Sequence, residues 1–254
     1  MSELNIEIKN LSFSYGNRKI FDDLNLDFKG GFVSIIGPNG SGKSTLFKLL
    51  TGLEKNDGGE IRIDNREIHK IKPEERAKLF TAIHQNQEFT FPFTCTEFVA
   101  LGRYPYRKGF GGLSEEDYDA VIGAMKDTDT LKYKDNLITE LSGGEKQRVH
   151  IAAALAQNTP LIFLDEAFSA LDISHKAYMI RLLKEKIDKE NRMVVAVMHD
   201  LNMAYRFSDT VCMMKEGKVI ACDRPEVSMT EEKLREVFDI NVDLVEGKGF
   251  FVNL

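Results

Sequence analysis

The sequence is poor in cysteine and has no long hydrophobic stretch, and both absences narrow the class of protein. Of its 254 residues, 3 are cysteine, and none of them forms a Cys-x-x-Cys pair. We therefore expect a reducing compartment, and neither a disulfide framework nor a zinc site. The longest apolar runs, such as residues 193–198, are far shorter than the roughly 18 residues of a membrane span. The first residues lack the basic and apolar regions of a signal peptide, so none is expected.

An excess of positive charge is missing as well. The chain has 34 Lys and Arg residues against 40 Asp and Glu residues, a net charge of −6. An acidic chain without a long basic run is a poor candidate for a protein that wraps nucleic acid. With 19 glycines and 6 prolines, it is neither collagen-like nor of low complexity. The expectation is a globular protein of the cytosol with one or two domains.

Short apolar runs alternate with amphipathic patterns along the second half of the chain. Residues 161–164 and 193–198 predict buried strands, and helical patterns precede and separate them. This alternation is typical of a parallel sheet that is covered by helices on both faces. Residues 1 to about 85 are rich in strand-like runs, whereas residues 86–145 predict mostly helix. Near the C-terminus we expect a helix that is capped near Ser228.

One segment fits the phosphate-binding pattern G-x-x-x-x-G-K-[ST], between a predicted strand and a predicted helix. It comprises Gly37, Pro38, Asn39, Gly40, Ser41, Gly42, Lys43, Ser44 and Thr45. Glycines let backbone N–H groups converge on phosphate oxygens, and the helix N-terminus adds partial positive charge. Lys43 would contact the β and γ phosphates, and the Ser44 hydroxyl would hold Mg²⁺. A Gly-rich turn that binds nothing is the weaker alternative, because the motif has both of its flanks. The sequence therefore predicts binding of a nucleoside triphosphate.

Polar side chains follow two further predicted strands. Asp165 and Glu166 come directly after the apolar run at 161–164, and His199 follows the run at 193–198. Ligands of parallel sheets bind at the carboxyl ends of the strands. Asp165 therefore suits the outer shell of Mg²⁺, and Glu166 suits a water that it would orient or deprotonate. His199 is expected at the same edge near a γ-phosphate; a histidine with only a local hydrogen bond is the more common alternative.

A second Gly-rich turn, Leu141-Ser142-Gly143-Gly144-Glu145, opens another helix. Taken alone, Ser142 is a helix cap with Glu145 as its capping-box partner. The turn also offers N–H groups and a hydroxyl to an anion, although the chain already has one phosphate cradle. With this turn the sequence resembles, over nearly its whole length, the nucleotide-binding subunit of ATP-binding cassette (ABC) transporters. The turn matches the signature motif of that family.

Further matches to the family follow the family's order along the chain. Gln85 matches the Q-loop glutamine, Ser169-Ala170-Leu171-Asp172 the D-loop, and His199 the switch histidine. Tyr15 stands where the family has an aromatic residue that stacks on adenine. His84 replaces the proline often found before Gln85, which affects Gln85 itself little.

The resemblance assigns a role to each of these positions. The residues that it implies to be catalytic are Lys43, Gln85, Glu166 and His199. The implied Mg²⁺ ligands are Ser44, Gln85 and Asp165. Outside the phosphate-binding segment, the implied ATP-binding residues are Tyr15, Ser142, Gly143, Gly144, Glu145 and Asp172.

The resemblance also implies a fold and an assembly. The fold is α/β: one ABC ATPase domain over 1–254, a P-loop NTPase core with a mainly parallel sheet and an N-terminal antiparallel β subdomain. Residues 1–85 and 146–254 would form that core, and 86–145 a helical subdomain. Two copies would pair head to tail, so that Ser142 of one completes the γ-phosphate site of the other. The helical subdomain would transmit their opening and closing to membrane permease subunits, with this chain on the cytoplasmic face of the membrane. An extracytoplasmic binding protein would be an indirect partner.

The segment Leu101-Gly102-Arg103-Tyr104-Pro105-Tyr106 resembles the subset of the family that powers uptake of iron–siderophore complexes, haem and vitamin B12. Before it, Phe89, Phe91 and Phe93 alternate. We interpret them either as part of a docking surface for a membrane subunit or as the half-buried face of a strand, and the pattern does not separate the two.

Other functions for the same phosphate-binding motif remain to be weighed. A GTPase is disfavoured, because no Asn in this chain is followed by Lys, as the guanine-binding motif of GTPases requires. A small-molecule kinase would not need the signature turn. A family member that acts as an ATP-gated clamp on DNA or ribosomes is the remaining alternative, although a single acidic cassette fits it poorly.

Overall fold

The computed structural model describes residues 4–85, 91–107, 112–245 and 249–253. In these ranges the strands are β1 (Asn5–Tyr15), β2 (Arg18–Lys29), β3 (Phe32–Ile36), β4 (Gly58–Ile63), β5 (Arg66–Glu67), β6 (Phe80–Ile83), β7 (Leu161–Asp165), β8 (Met193–Val197), β9 (Thr210–Lys215), β10 (Lys218–Asp223), β11 (Asn241–Val245) and β12 (Gly249–Asn253). The α-helices are α1 (Lys43–Leu50), α2 (Pro73–Leu79), α3 (Cys95–Ala100), α4 (Glu115–Asp127), α5 (Gly143–Gln157), α6 (Ile173–Glu190), α7 (Leu201–Phe207), α8 (Pro225–Ser228) and α9 (Glu231–Phe238). Short 3₁₀ helices span Ile68–Lys70, Leu101–Tyr106, Leu131–Tyr133 and Ile138–Glu140.

The chain divides into two compact units. The first unit combines Met1–Lys72 with Lys184–Leu254, and the second is Pro73–Leu183. The division of the sequence into a core (1–85 and 146–254) and a helical subdomain (86–145) has other boundaries and stays a prediction.

Two kinds of sheet lie in the first unit. Strands β2, β1, β4 and β5 form an antiparallel sheet in that order. In the other sheet β3 pairs in parallel with both β8 and β9, and β10 is antiparallel to β9. All side chains of β3 and β8 are buried, as expected for apolar runs in parallel strands that are covered on both faces.

The second unit places helices around a parallel strand pair. Strand β6 is parallel to β7, with Ile83 opposite Leu164, and β7 is buried throughout. Helix α4 begins with a capping box between Ser114 and Asp117, as its sequence predicts. The predicted α/β class, with an antiparallel N-terminal sheet, parallel strands and helices, is confirmed.

Near the C-terminus the structure has the helix that the sequence predicts near Ser228. Ser228 ends the short α8, and its Oγ accepts a hydrogen bond from the N–H of Asp223 at 2.8 Å. The cap of α9 is Thr230, which accepts from the N–H of Lys233. The expectation of a helix capped near Ser228 is therefore confirmed, with Thr230, two residues later, as the cap. Among the described residues, no helix has the length and apolarity that crossing a bilayer requires.

Candidate functional site

The phosphate-binding segment forms the connection from β3 to α1 in the first unit. Two of its glycines lie where a side chain would clash with neighbouring atoms or strain the backbone. A Cβ on Gly37 would lie 2.2 Å from the carbonyl oxygen of Met214. Gly42 has a φ of 103°, in the left-handed region, and a Cβ there would lie 3.0 Å from the ring of Phe21. The segment is therefore packed against neighbouring backbone and side chains, and its conformation excludes larger residues.

Two buried side chains of this segment carry polar groups suited to an anion. The Nζ of Lys43 donates to the carbonyl oxygens of Gly37 and Pro38, at 2.8 and 3.0 Å. The Oγ of Ser41 is buried and has no hydrogen-bond partner in the described part of the chain. A buried hydroxyl without a partner costs about 1–3 kcal/mol, and a phosphate oxygen would satisfy it. Ser44 and Thr45 lie half-buried in the first turn of α1. These residues fit a bound triphosphate.

The hairpin of β9 and β10 contacts and supports the phosphate-binding segment. The sequence did not predict this contact. The N–H of Gly217, in the hairpin turn, donates to the carbonyl oxygen of Ser41 at 3.0 Å, and Met214 faces Gly37. The turn itself was predictable from Glu216-Gly217, but no local signal says which segment the turn contacts.

Two more predicted site residues lie in the first unit. Tyr15 ends β1 and is 42% exposed, with its ring in edge contact with that of Phe13 at 4.8 Å between centroids. An exposed ring that is fixed at one edge leaves area for a base to stack on. His199 lies two residues after the end of β8 and is exposed, and the next residue, Asp200, caps α7 by accepting from the N–H of Met203.

The second unit brings Gln85 and Glu166 into contact. Each follows one strand of the parallel pair β6 and β7, and Gln85 Nε2 donates to Glu166 Oε2 at 2.5 Å. Asp165, the last residue of β7, is buried. Glu166 has a φ of 52°, which costs free energy for a residue with a side chain and is common at functional sites. The three side chains thus lie at the carboxyl ends of one parallel strand pair. Their separate roles stay predictions.

The signature turn lies at the start of α5, also in the second unit. Ser142 is exposed, and its N–H and Oγ donate to Glu145 Oε2 at 2.8 and 2.6 Å. Tyr133 donates to the other oxygen, Oε1, at 2.6 Å. The bonds from Ser142 and then Tyr133 lower the pKa of Glu145 to about 2. A Cβ on Gly144 would lie 3.2 Å from the carbonyl oxygen of Ala170, so the signature turn and the D-loop are in contact.

Asp172, the last residue of the D-loop, is held by the start of α6. Its Oδ1 accepts from the N–H of His175 at 2.8 Å and from Ser174 Oγ at 2.7 Å. The N–H of His175, followed by its ring and by Ser174, lowers the pKa of Asp172. The carboxylate therefore stays charged at neutral pH.

The segment from Leu101 to Tyr106 forms a 3₁₀ helix that packs on α5. A Cβ on Gly102 would lie 2.4 Å from the carbonyl oxygen of Ala153. Arg103 is buried and donates to Asp117 Oδ1 at 2.8 Å and to the carbonyl oxygen of Ala156 at 2.9 Å. This attachment leaves Leu101 49% and Tyr104 71% exposed.

A groove of about 240 Å³ lies beside this 3₁₀ helix, within the second unit; its lining includes Phe98, Leu101, Gly102, His150, Ala153 and Gln157. His150 is buried, and its ring lies 5.1 Å from that of Phe98. Burial lowers the pKa of His150 to about 4, so the imidazole is neutral at pH 7. His150 therefore adds no charge to the groove.

The alternating phenylalanines are only partly within the described residues. Phe89 lies outside them, Phe91 is 67% exposed, and Phe93 is half-buried. Residues 91–93 lie outside any strand, so the strand-face alternative was wrong for Phe91 and Phe93. The docking interpretation stays a prediction.

Comparison with known proteins decides the family. Residues 21–169 match the family model described as ABC transporter. The chain belongs to the ABC transporter family. It is an ATPase of that family and binds ATP.

Relatives of nearly the same length have iron compounds in their names. The chain is 36% identical to the iron(3+)-hydroxamate import ATP-binding protein FhuC of Bacillus subtilis, over 94% of this chain and 90% of FhuC. It is 37% identical to the hemin import ATP-binding protein HmuV of Escherichia coli O157:H7, over 95% of this chain and 94% of HmuV. Among solved structures, the dimeric structure of MJ0796, a bacterial ABC transporter cassette, matches with a TM-score of 0.77 and 32% identity, over 87% of this chain and 98% of that one.

Proposed function

We propose that this chain is the ATP-hydrolysing subunit of an importer that takes up an iron chelate through membrane permease subunits. The observation that carries the proposal is that two relatives, similar over at least 90% of both chains, are named for two different iron chelates. A hydroxamate and a porphyrin share little beyond the iron that they hold. The family segment at Leu101–Tyr106 supports the same subset.

The hydrolytic chemistry is divided among named side chains. Lys43 and the N–H groups of residues 39–45 hold the β and γ phosphates, and Tyr15 stacks on adenine. Glu166 orients the attacking water and accepts its proton. The bond from Gln85 keeps the Glu166 carboxylate in one orientation, and His199 contacts the γ-phosphate.

The donor set suits Mg²⁺. The hydroxyl of Ser44, the carboxylate of Asp165 and the amide oxygen of Gln85 are the hard oxygen donors that this ion prefers. Bound there, Mg²⁺ would neutralise part of the charge on the phosphates. Gln85 can supply its oxygen while its Nε2 donates to Glu166.

The second Gly-rich turn is explained by a second copy of the chain. One chain has two Gly-rich turns that open a helix, and Ser142 is exposed at the start of α5. In a head-to-tail pair, Ser142, Gly143 and Gly144 of each copy would contact the γ-phosphate held by the other, with Asp172 beside them. The dimeric form of the similar MJ0796 cassette supports this arrangement. ATP would then join the two copies, and hydrolysis would release them.

The second unit offers a surface for the permease. Leu101, Tyr104 and Phe91 are large apolar or aromatic side chains that are exposed, and Leu101 also lines the neutral groove. Exposed apolar surface is typical of contact sites. The chain would therefore work as a peripheral subunit on the cytoplasmic face of the membrane, downstream of an extracytoplasmic binding protein.

Uptake by cells that lack this chain tests the proposal. Radiolabelled iron hydroxamate, haem and vitamin B12 are supplied to the deletion strain, complemented with either the native chain or Glu166→Gln. Only the native chain is expected to restore uptake of an iron chelate. Restored uptake of vitamin B12 alone, or undiminished uptake of all three in the deletion strain, would overturn the proposed substrate. Purification without any membrane protein would favour the clamp instead.

A further inference from the structure

A residue outside every family motif contacts the signature turn through Glu145. Tyr133 ends the 3₁₀ helix Leu131–Tyr133, and its hydroxyl donates to Glu145 Oε1 at 2.6 Å. The other oxygen, Oε2, accepts both the N–H and the Oγ of Ser142. A single carboxylate therefore connects the Tyr133 hydroxyl with the serine that opens the turn.

Tyr133 is itself fixed by its surroundings. Its N–H donates to the carbonyl oxygen of Thr130 at 2.9 Å. The guanidinium of Arg148 lies 5.9 Å from the ring centroid and is anchored by bonds to the carbonyl oxygen and Oδ2 of Asp129, at 3.0 and 2.9 Å. Lys132 Nζ lies 5.3 Å from the same ring. Contacts of this kind with cations favour one ring position, so the hydroxyl is a positioned donor.

The two oxygens of Glu145 have separate tasks. For Ser142 to donate its hydroxyl to a phosphate, that hydroxyl must leave Oε2, while the N–H of Ser142 can stay there. A carboxylate held only at Oε2 could turn with the departing hydroxyl. The bond from Tyr133 to Oε1 opposes that rotation, and a hydrogen bond to a charged group is stronger than a neutral one.

We propose that Tyr133 is a positioning residue for ATP in trans: through Glu145 it orients Ser142 toward the γ-phosphate that is bound by a second copy of the chain. This inference rests on the composite site of the proposed function. It predicts that the hydroxyl of Tyr133 matters for the nucleotide of the partner and not for the nucleotide of its own chain.

Two heterodimers with the same substitutions separate this role from a structural one. All chains carry Glu166→Gln to prevent turnover, and one chain of each pair also carries Lys43→Ala, so only one composite site is left. That site combines the phosphate-binding segment of the intact chain with the signature turn of the Lys43→Ala chain. Tyr133→Phe is placed either on the Lys43→Ala chain or on the other chain, and two affinity tags select the mixed pair.

We expect the ATP concentration for half-maximal heterodimer formation to rise about tenfold when Tyr133→Phe is on the Lys43→Ala chain, the effect of one lost hydrogen bond to a charged group. It should stay unchanged when Tyr133→Phe is on the other chain. Tyr118→Phe, an exposed position on α4, is the matched control on either chain.

Equal effects in the two arrangements, or none in either, would overturn the role of Tyr133 and leave the composite site standing. If the pair without any change at Tyr133 fails to form with ATP, the composite site is itself wrong, and the inference falls with it.

Discussion

The two Gly-rich turns of this protein both open a helix, yet their polar groups are satisfied in opposite ways. In the phosphate-binding segment the Ser41 hydroxyl is buried and has no hydrogen-bond partner in the described ranges. In the signature turn the Ser142 hydroxyl is exposed and already bonded to Glu145 of its own turn. The first turn therefore gains from any phosphate that enters it. The second is stable without one, and a ligand must displace an existing bond.

This difference suits one turn that holds ATP and another that closes over ATP already bound elsewhere. A turn with its own carboxylate next to the serine repels free phosphate at neutral pH, because Glu145 stays charged. Only a nucleotide that is presented by other contacts would offset that repulsion. Under the proposed function, the first turn would bind ATP, and the second would contact ATP that the partner copy already holds.

Lys43→Ala should have the largest effect, because it removes the function of the first turn. Because the ammonium is the charged group of the first turn, its loss should reduce ATP affinity by about 100-fold and abolish measurable hydrolysis. Equilibrium binding of a fluorescent ATP analogue and a phosphate-release assay check both. Lys48→Ala, an exposed position on the same helix, is the control, and similar losses for the two variants would count against the role of Lys43.

Glu166→Gln should separate binding from chemistry. The amide cannot accept the proton of water, so hydrolysis should fall by about 10³-fold while ATP affinity is kept. Size-exclusion chromatography with ATP and Mg²⁺ should then show a stable dimer. A variant that stays monomeric and hydrolyses ATP at the native rate would refute the assignment of the base.

Low pH should destabilise the folded protein through His150, which lies on the helix that the signature turn opens. His150 on α5 has its pKa lowered by burial to about 4, so the unfolded chain, with a pKa near 6.5, binds its proton first as the pH falls. The free energy of unfolding should therefore decrease from pH 6.5 to pH 4, by about 3 kcal/mol from this group. His150→Gln should remove that part of the pH dependence in urea titrations. Identical pH profiles for the two proteins would show that His150 is not the group responsible.

Tyr15→Ala should give the smallest effect. It should show whether the ATP site around the first turn includes a contact between Tyr15 and the adenine base. Loss of stacking is expected to weaken ATP binding about tenfold, and inorganic triphosphate should bind as before. Calorimetric titration with both ligands measures this. Tyr15→Phe keeps the ring and should behave as the native chain. An equal loss for ATP and triphosphate would place Tyr15 against the phosphates instead of the base.

Elements with local signals were predictable, and those that depend on neighbours were not. The strand, turn and helix around Gly37–Thr45 lie where the motif puts them, because glycine conformations and a helix start are properties of a short segment. The capping boxes of Ser114 and Ser142 follow for the same reason. The helix expected near Ser228 is capped by Thr230, whereas the Ser228 hydroxyl accepts from the N–H of Asp223. A pattern of residue types does not reveal which of the two hydroxyls is the cap.

In the candidate site, too, local motifs identified single residues but not the contacts between distant ones. The motifs named Gln85 and Glu166 separately, yet their contact joins residues 81 positions apart. The link from Tyr133 to Glu145 has no motif at all. The exposure of Leu101 and Tyr104 depends on the buried anchor of Arg103, whose partners Asp117 and Ala156 come from α4 and α5.

By itself the sequence determined the class of ligand, the order of strands and helices, and the residue types expected to face a triphosphate. These follow from short-range backbone preferences and from the chemistry of single side chains. The tertiary structure decided which of these groups are already satisfied. Gly37 against Met214, Gln85 on Glu166 and Tyr133 on Glu145 are contacts between distant segments. Their existence depends on how the strands and helices pack, and that packing is a property of the whole chain.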